Sequence, residues 1–133
     1  MSPVDVVRAF VTEVWSEGRL DRIPDLVHDD YADGERVVGP GFVRDNVTTW
    51  RTAFPDLKCT VLTSCSEGPL VAVMVRMTGT HLGPWEHVPA TGRNVDIREA
   101  IFWTVRDGRL ATIQSVGQSL KFRIQLGLLP DDA

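Results

Sequence analysis

The segment from Asn94 to Gln118 reads as two strands joined at Asp107-Gly108, and it constrains the chain more than any other stretch. On the first arm Val95, Ile97, Ile101, Trp103 and Val105 occupy alternate positions. Strand side chains point to opposite faces with period two, so this row faces inward. Glu99 interrupts it. An unpartnered charge is costly to bury, so Glu99 lines a cavity, has an ionic partner, or sits on the other face. The turn decides which residues oppose it. A two-residue turn pairs Arg106 with Arg109 and sets Glu99 against Val116. A three-residue turn over Arg106, Asp107 and Gly108, the preferred reading, pairs Val105 with Arg109. It sets Glu99 against Ser115 and Ile101 against Ile113.

A chain of 133 residues is expected to form one domain, residues 1–133, with a real core. Hydrophobic residues make up 43% and charged residues 24%, an ordinary globular balance. The net charge of −4 and the lack of a basic stripe argue against nucleic-acid binding, which needs clustered Lys and Arg. No apolar run approaches the roughly 20 residues of a membrane span. The N-terminus lacks a basic region followed by an apolar one, so no secretory signal is expected. Cys59 and Cys65 have neither metal spacing nor a nearby His and read as reduced thiols of a cytoplasmic protein.

Ser2, Pro3 and Asp5 form a helix start, and Val4, Val7, Val11, Val14 and Trp15 recur at helical spacing up to Gly18. Leu20 to Val27 is a short helical piece, tolerating Pro24 only in its first turn. The acidic stretch from His28 to Asp33 is a loop or short strand, and its His reads as a surface residue. Gly39-Pro40-Gly41 is a turn, after which Val43, Val47, Trp50 and Phe54 mark a third helix ended by Pro55. Leu57 to Ser64 reads as a strand. Leu70 to Thr80, apolar on nearly both faces, reads as a central strand covered on both sides, with Arg76 needing a salt-bridge partner. Gly79 to Arg93 is a Gly/Pro-rich loop carrying His81 and His87, and Ser119 to Leu126 a short helix capped by Gly127. Helices first and strands after imply an α+β fold with a mostly antiparallel sheet. A strongly curved sheet with helices at its mouth leaves a cavity between the layers.

Five stretches taken together resemble the SnoaL-like polyketide cyclase family, within the nuclear-transport-factor-2-like superfamily. They are Ala53-Phe54-Pro55-Asp56-Leu57, Gly79-Thr80-His81-Leu82-Gly83, Pro89-Ala90-Thr91-Gly92-Arg93, Asp107-Gly108-Arg109-Leu110 and Gln125-Leu126-Gly127. The resemblance implies a cone-shaped barrel around one deep pocket, a homodimer through the outer sheet face and no cofactor, and the residues themselves offer no convincing metal site. The implied partner is a small polyketide-like molecule, bound without nucleic acid or membrane. In the cyclases a last-strand carboxylate acts as acid/base, and its position falls on Ser115. A cyclase His falls on Ile101 and a companion Gln on Glu99. This chain thus lacks the aligned carboxylate and carries another across the hairpin.

The resulting candidates for chemistry are Glu99, Ser115 and His81. Trp15, Tyr31, Trp50, Phe54, Ile101, Trp103, Ile113 and Gln118 are candidates for substrate contact. Aldol-type ring closure needs a base beside an acidic carbon and a donor for the developing enolate oxygen. A carboxyl in an apolar pocket has its pKa raised toward a useful value. The leading expectation is a cofactor-independent cyclase or isomerase. The alternatives are a hydroxylase-type member that positions substrate for oxygen, and a non-catalytic binding protein.

Overall fold

The computed structural model describes residues 1–131. Ser2 opens α1 (Pro3–Ala9) with a reciprocal box. Its hydroxyl accepts from the Asp5 amide at 3.2 Å, and the Asp5 carboxylate accepts from the Ser2 amide at 3.1 Å. The helix continues as a wider π-helical segment, Phe10–Ser16, which buries Phe10, Val11 and Val14. Gly18, at φ +71°, ends it. A Cβ there would stand 2.7 Å from Arg51 Nε. The Arg51 guanidinium donates to the carbonyls of Trp15, Ser16 and Leu57 and so ties three segments together.

A single 3-10 turn, Leu20–Arg22, precedes α2 (Ile23–Leu26). The acidic stretch is extended, in β1 (Val27–Asp33), which pairs with β2 (Arg36–Val37). Gly39-Pro40-Gly41 departs from expectation. It forms the first turn of α3 (Gly39–Ala53), where a proline's missing N–H costs nothing. The remaining elements are β3 (Lys58–Glu67), β4 (Leu70–Thr80), β5 (Asn94–Arg106), β6 (Arg109–Gly117) and α4 (Ser119–Gln125).

The six strands form one curved, unclosed sheet in the order β2-β1-β6-β5-β4-β3, and only β1 and β6 run parallel. The helices pack onto its concave side. Val71, Val73, Val75 and Met77 of β4 are buried there beside Val95, Ile97, Ile101, Trp103 and Val105 of β5. β4 is interior, flanked by β3 and β5, but its second row is covered less than expected: Ala72 and Met74 are half-buried. Arg76 stands on that outer face and finds its partner in Asp96, at 2.8 and 2.6 Å. Both side chains are about half exposed, so this pair adds little stability.

The hairpin register differs from the three-residue reading. Asp107 (φ 52°) and Gly108 (φ 76°) both take the left-handed conformation a two-residue type I′ turn requires, so Arg106 pairs with Arg109. Val105 pairs with Leu110 and Thr104 with Thr112, leaving Ala111 as a bulge. Beyond the bulge Glu99 opposes Gly117, Ile101 opposes Ser115 and Trp103 opposes Ile113. Ser115 is therefore a diagonal neighbour of Glu99 rather than its direct partner.

Candidate functional site

The concave side of the sheet and α3 enclose a cavity of about 170 Å³. Glu99, half-buried on β5, forms part of its wall, with Val75 on one side and Gly117 on the other. No Lys, Arg or His lines this cavity, and none of the ion pairs among the described residues involves Glu99. The ion-pair reading of this carboxylate fails. Burial holds its pKa above the ordinary carboxylate range, opposed in part by the Ser115 hydroxyl. Ser115 lines the same cavity from an exposed position on β6.

Four residues further along the same inward row of β5, Trp103 begins an aromatic wall of this cavity. The Trp103 indole N–H donates to the Tyr31 hydroxyl at 3.0 Å, with both residues buried. Phe10 packs edge-on against Trp103, ring centres 5.6 Å apart. Burial raises the Tyr31 hydroxyl pKa far above its usual value, and the Asp33 charge adds to this against the Trp103 bond. Tyr31 thus keeps its proton, and an oxygen that accepts from Trp103 has its own O–H left to donate. Trp15, Trp50, Ile101 and Ile113 complete the expected residues found on this lining. The π-helical turn brings Trp15 there.

Three expected residues stand elsewhere. Phe54 is fully buried in an aromatic cluster with Trp50 and His81, centroids 5.6 and 5.4 Å away. His81 is fully buried too. Its Nδ1 accepts from the Thr91 amide at 3.2 Å and lies 2.9 Å from the Thr91 hydroxyl, while Nε2 has no partner of good geometry. Burial depresses its pKa, with the Gly83 carbonyl opposing. His81 is a clasp for the loop between β4 and β5, where its own amide donates to the Arg93 carbonyl at 2.8 Å. Gln118 accepts the Arg98 amide at 2.9 Å and borders a separate space beside α4.

Several lining residues went unforeseen: Asp33, Asn46, Phe42 and Cys59 among them. Two carried a signal. Asp33 lies two positions after Tyr31 and so shares its face of β1, and Asn46 lies between Val43 and Trp50 on the inward stripe of α3. The Cys59 thiol is pushed up to about 12 by burial and then by the Glu99 charge, against Arg51, so it stays protonated at neutral pH. Among the described residues no group of three or more His, Cys, Asp or Glu is placed to hold a metal ion.

A curved, unclosed sheet with helices packed on its concave side is the α+β cone of the nuclear-transport-factor-2-like fold. The sequence profile of the SnoaL-like polyketide cyclase family matches residues 5–126, and the chain belongs to that family. None of the curated proteins compared with the chain matches it. Among solved structures, TsrD from Streptomyces laurentii is 23% identical, with 96% of this chain and 97% of that one covered and a TM-score of 0.87. IdmH from Streptomyces antibioticus, a candidate polyketide cyclase, is 24% identical over 96% and 99% of the two chains, with a TM-score of 0.83. AclR from Streptomyces galilaeus, a candidate hydroxylase, is 24% identical over 97% and 83%, with a TM-score of 0.84.

Proposed function

We propose that this protein is a cofactor-independent enzyme that acts on a small aromatic or polycyclic polyketide-type intermediate by proton transfer, with Glu99 as acid/base. The observation that carries this reading is a half-buried carboxylate with no ionic partner on the wall of an aromatic cavity. A base works best with a pKa near the operating pH, and burial moves Glu99 in that direction. In a ring closure the Glu99 carboxylate takes a proton from a carbon beside a carbonyl. The electron pair passes to the carbonyl oxygen, and the Tyr31 O–H donates to the enolate so formed. The enolate carbon then attacks a second carbonyl of the same molecule, and the protonated Glu99 returns its proton to the new alkoxide. Trp15, Trp50 and Trp103 offer flat walls for the ring system, and Ser115 a hydroxyl beside the base. Glu99→Gln is expected to reduce turnover at least a hundredfold, within the usual range for losing an acid/base group. Full turnover in that variant removes the assignment.

One feature favours a second reading. The cyclase carboxylate position is Ser115 here, which suits a hydroxylase-type member that positions an electron-rich substrate for oxygen. Oxygen uptake that requires substrate separates the two. As part of the same reading, the protein acts in the cytoplasm as a homodimer through the outer sheet face. That face exposes Leu70, Phe102 and Val116, and sedimentation at the monomer mass would exclude the pairing.

A further inference from the structure

A second cavity, of about 250 Å³, lies between α4, the end of β6 and the loop joining β4 to β5. Its walls are mainly apolar, from Trp85 and Val88 of the loop, Ile97 of β5, Phe122 of α4 and Leu128 beyond it, while the charged Glu86 and Arg123 also border it. Trp50, Trp85 and Phe122 form a contiguous aromatic patch, with centroids 4.5, 5.2 and 5.4 Å apart. The roof is fixed in place. The Ala53 carbonyl accepts from the amides of Leu82 and Gly83, and Trp85 and Val88 exchange backbone bonds at 2.9 and 2.7 Å. Gln118, the amide side chain on this lining, already uses its oxygen on the Arg98 amide.

Two residues line both this space and the main cavity: Glu99 and Trp50. The carboxylate therefore stands where the two meet. The strand position opposite it is Gly117, so no β6 side chain directly across the ladder fills the junction; a Cβ there would lie 3.5 Å from Glu99 Cγ.

We propose that the second cavity receives an apolar arm of the substrate, an alkyl or alkenyl chain on the ring system seated in the main cavity, with the ring–arm junction at Glu99. The substrate class is then an alkyl-bearing aromatic rather than a bare polycycle. This deepens the acid/base reading and rests on it for the reaction, but the binding claim is tested without turnover. Burying a methylene contributes about 0.8 kcal/mol, a factor of about four in affinity.

The test uses 2-hydroxy-1,4-naphthoquinone and its 3-alkyl derivatives from methyl to hexyl, titrated calorimetrically against the whole chain. In the unaltered protein Kd is expected to fall about fourfold per added methylene over the first carbons. Gly117→Leu fills the second cavity and should flatten that series while leaving affinity for the unsubstituted ring within about threefold. Ser119→Phe fills it from α4 and gives the same readout if the first variant does not fold. Arms that add no affinity overturn the proposal. So does a slope that survives in both filled variants, or a complete failure of the series to bind. Glu99→Gln with undiminished turnover but an intact affinity series would overturn the catalytic reading and leave this one standing.

Discussion

Glu99→Gln should make the protein more stable at neutral pH while abolishing its chemistry. The carboxylate is half-buried, has no ion-pair partner, and carries a raised pKa because burial outweighs the Ser115 hydroxyl. In the unfolded chain it titrates near 4.5. Between that value and its raised folded value, the folded protein holds a proton the unfolded chain has released. Stability therefore falls as pH rises through this window and stays lowered above it, at about 1.4 kcal/mol per unit of displacement. Burial of an unpaired polar group costs roughly 1–3 kcal/mol in proteins. Partial exposure and the Ser115 hydroxyl place Glu99 at the low end, on the order of 1 kcal/mol. Glutamine keeps the shape and removes the charge. With a urea slope of about 1–3 kcal/mol per molar, the variant's midpoint at pH 8 should lie ~0.3–1 M higher. Near pH 4 both side chains are neutral, and the difference should vanish. The assay is paired urea unfolding of the two proteins at pH 4, 6 and 8, with equal slopes confirming a comparable exposed surface. A variant no more stable at pH 8, or a difference independent of pH, would refute the buried-charge argument whatever the activity data said.

Two other outcomes can be measured directly. Tyr31→Phe leaves the buried Trp103 N–H without its acceptor, so a loss of about 1–3 kcal/mol is expected in urea unfolding, with little change once Trp103→Phe is already present. His81, held neutral by burial, should still be uncharged when an ordinary imidazole is half protonated, near pH 6.5. Its contribution to stability is thus complete above that pH and lost progressively below it. An NMR titration placing its midpoint at or above 6.5 would contradict the buried clasp.

Local signals carried much of the architecture. The Ser2–Asp5 box, the place of the Asp107-Gly108 turn and the left-handed Gly127 each depend on residues within a turn of one another, though the turn takes the two-residue form rather than the preferred three-residue one. Glu99 was visible for a similar reason, as a charge in an apolar row. The Ala111 bulge was not. No Gly or Pro marks it, and Leu110 and Ala111 are both buried where β1 packs alongside, a contact from about 80 residues earlier in the chain. His81 was misleading in the same way. Its Gly/Pro-rich surroundings resemble an open loop, whereas Phe54, Thr91 and Ala53 close over that corner. Phe54 follows, since a residue that ends a helix can turn either to a void or to such a cluster, and helical spacing does not distinguish them.

Ala111 also gives this hairpin one spare link. Losing it would let the arm straighten while Ile113, Ser115 and Gly117 kept the same opposite numbers, so a shortened chain would present unchanged chemistry to a ligand. Gaining a residue nearby offers no such escape: the arm must kink a second time or turn its inner side outward. Length variation among descendants of this protein should therefore be lopsided here, with losses tolerated and gains rare.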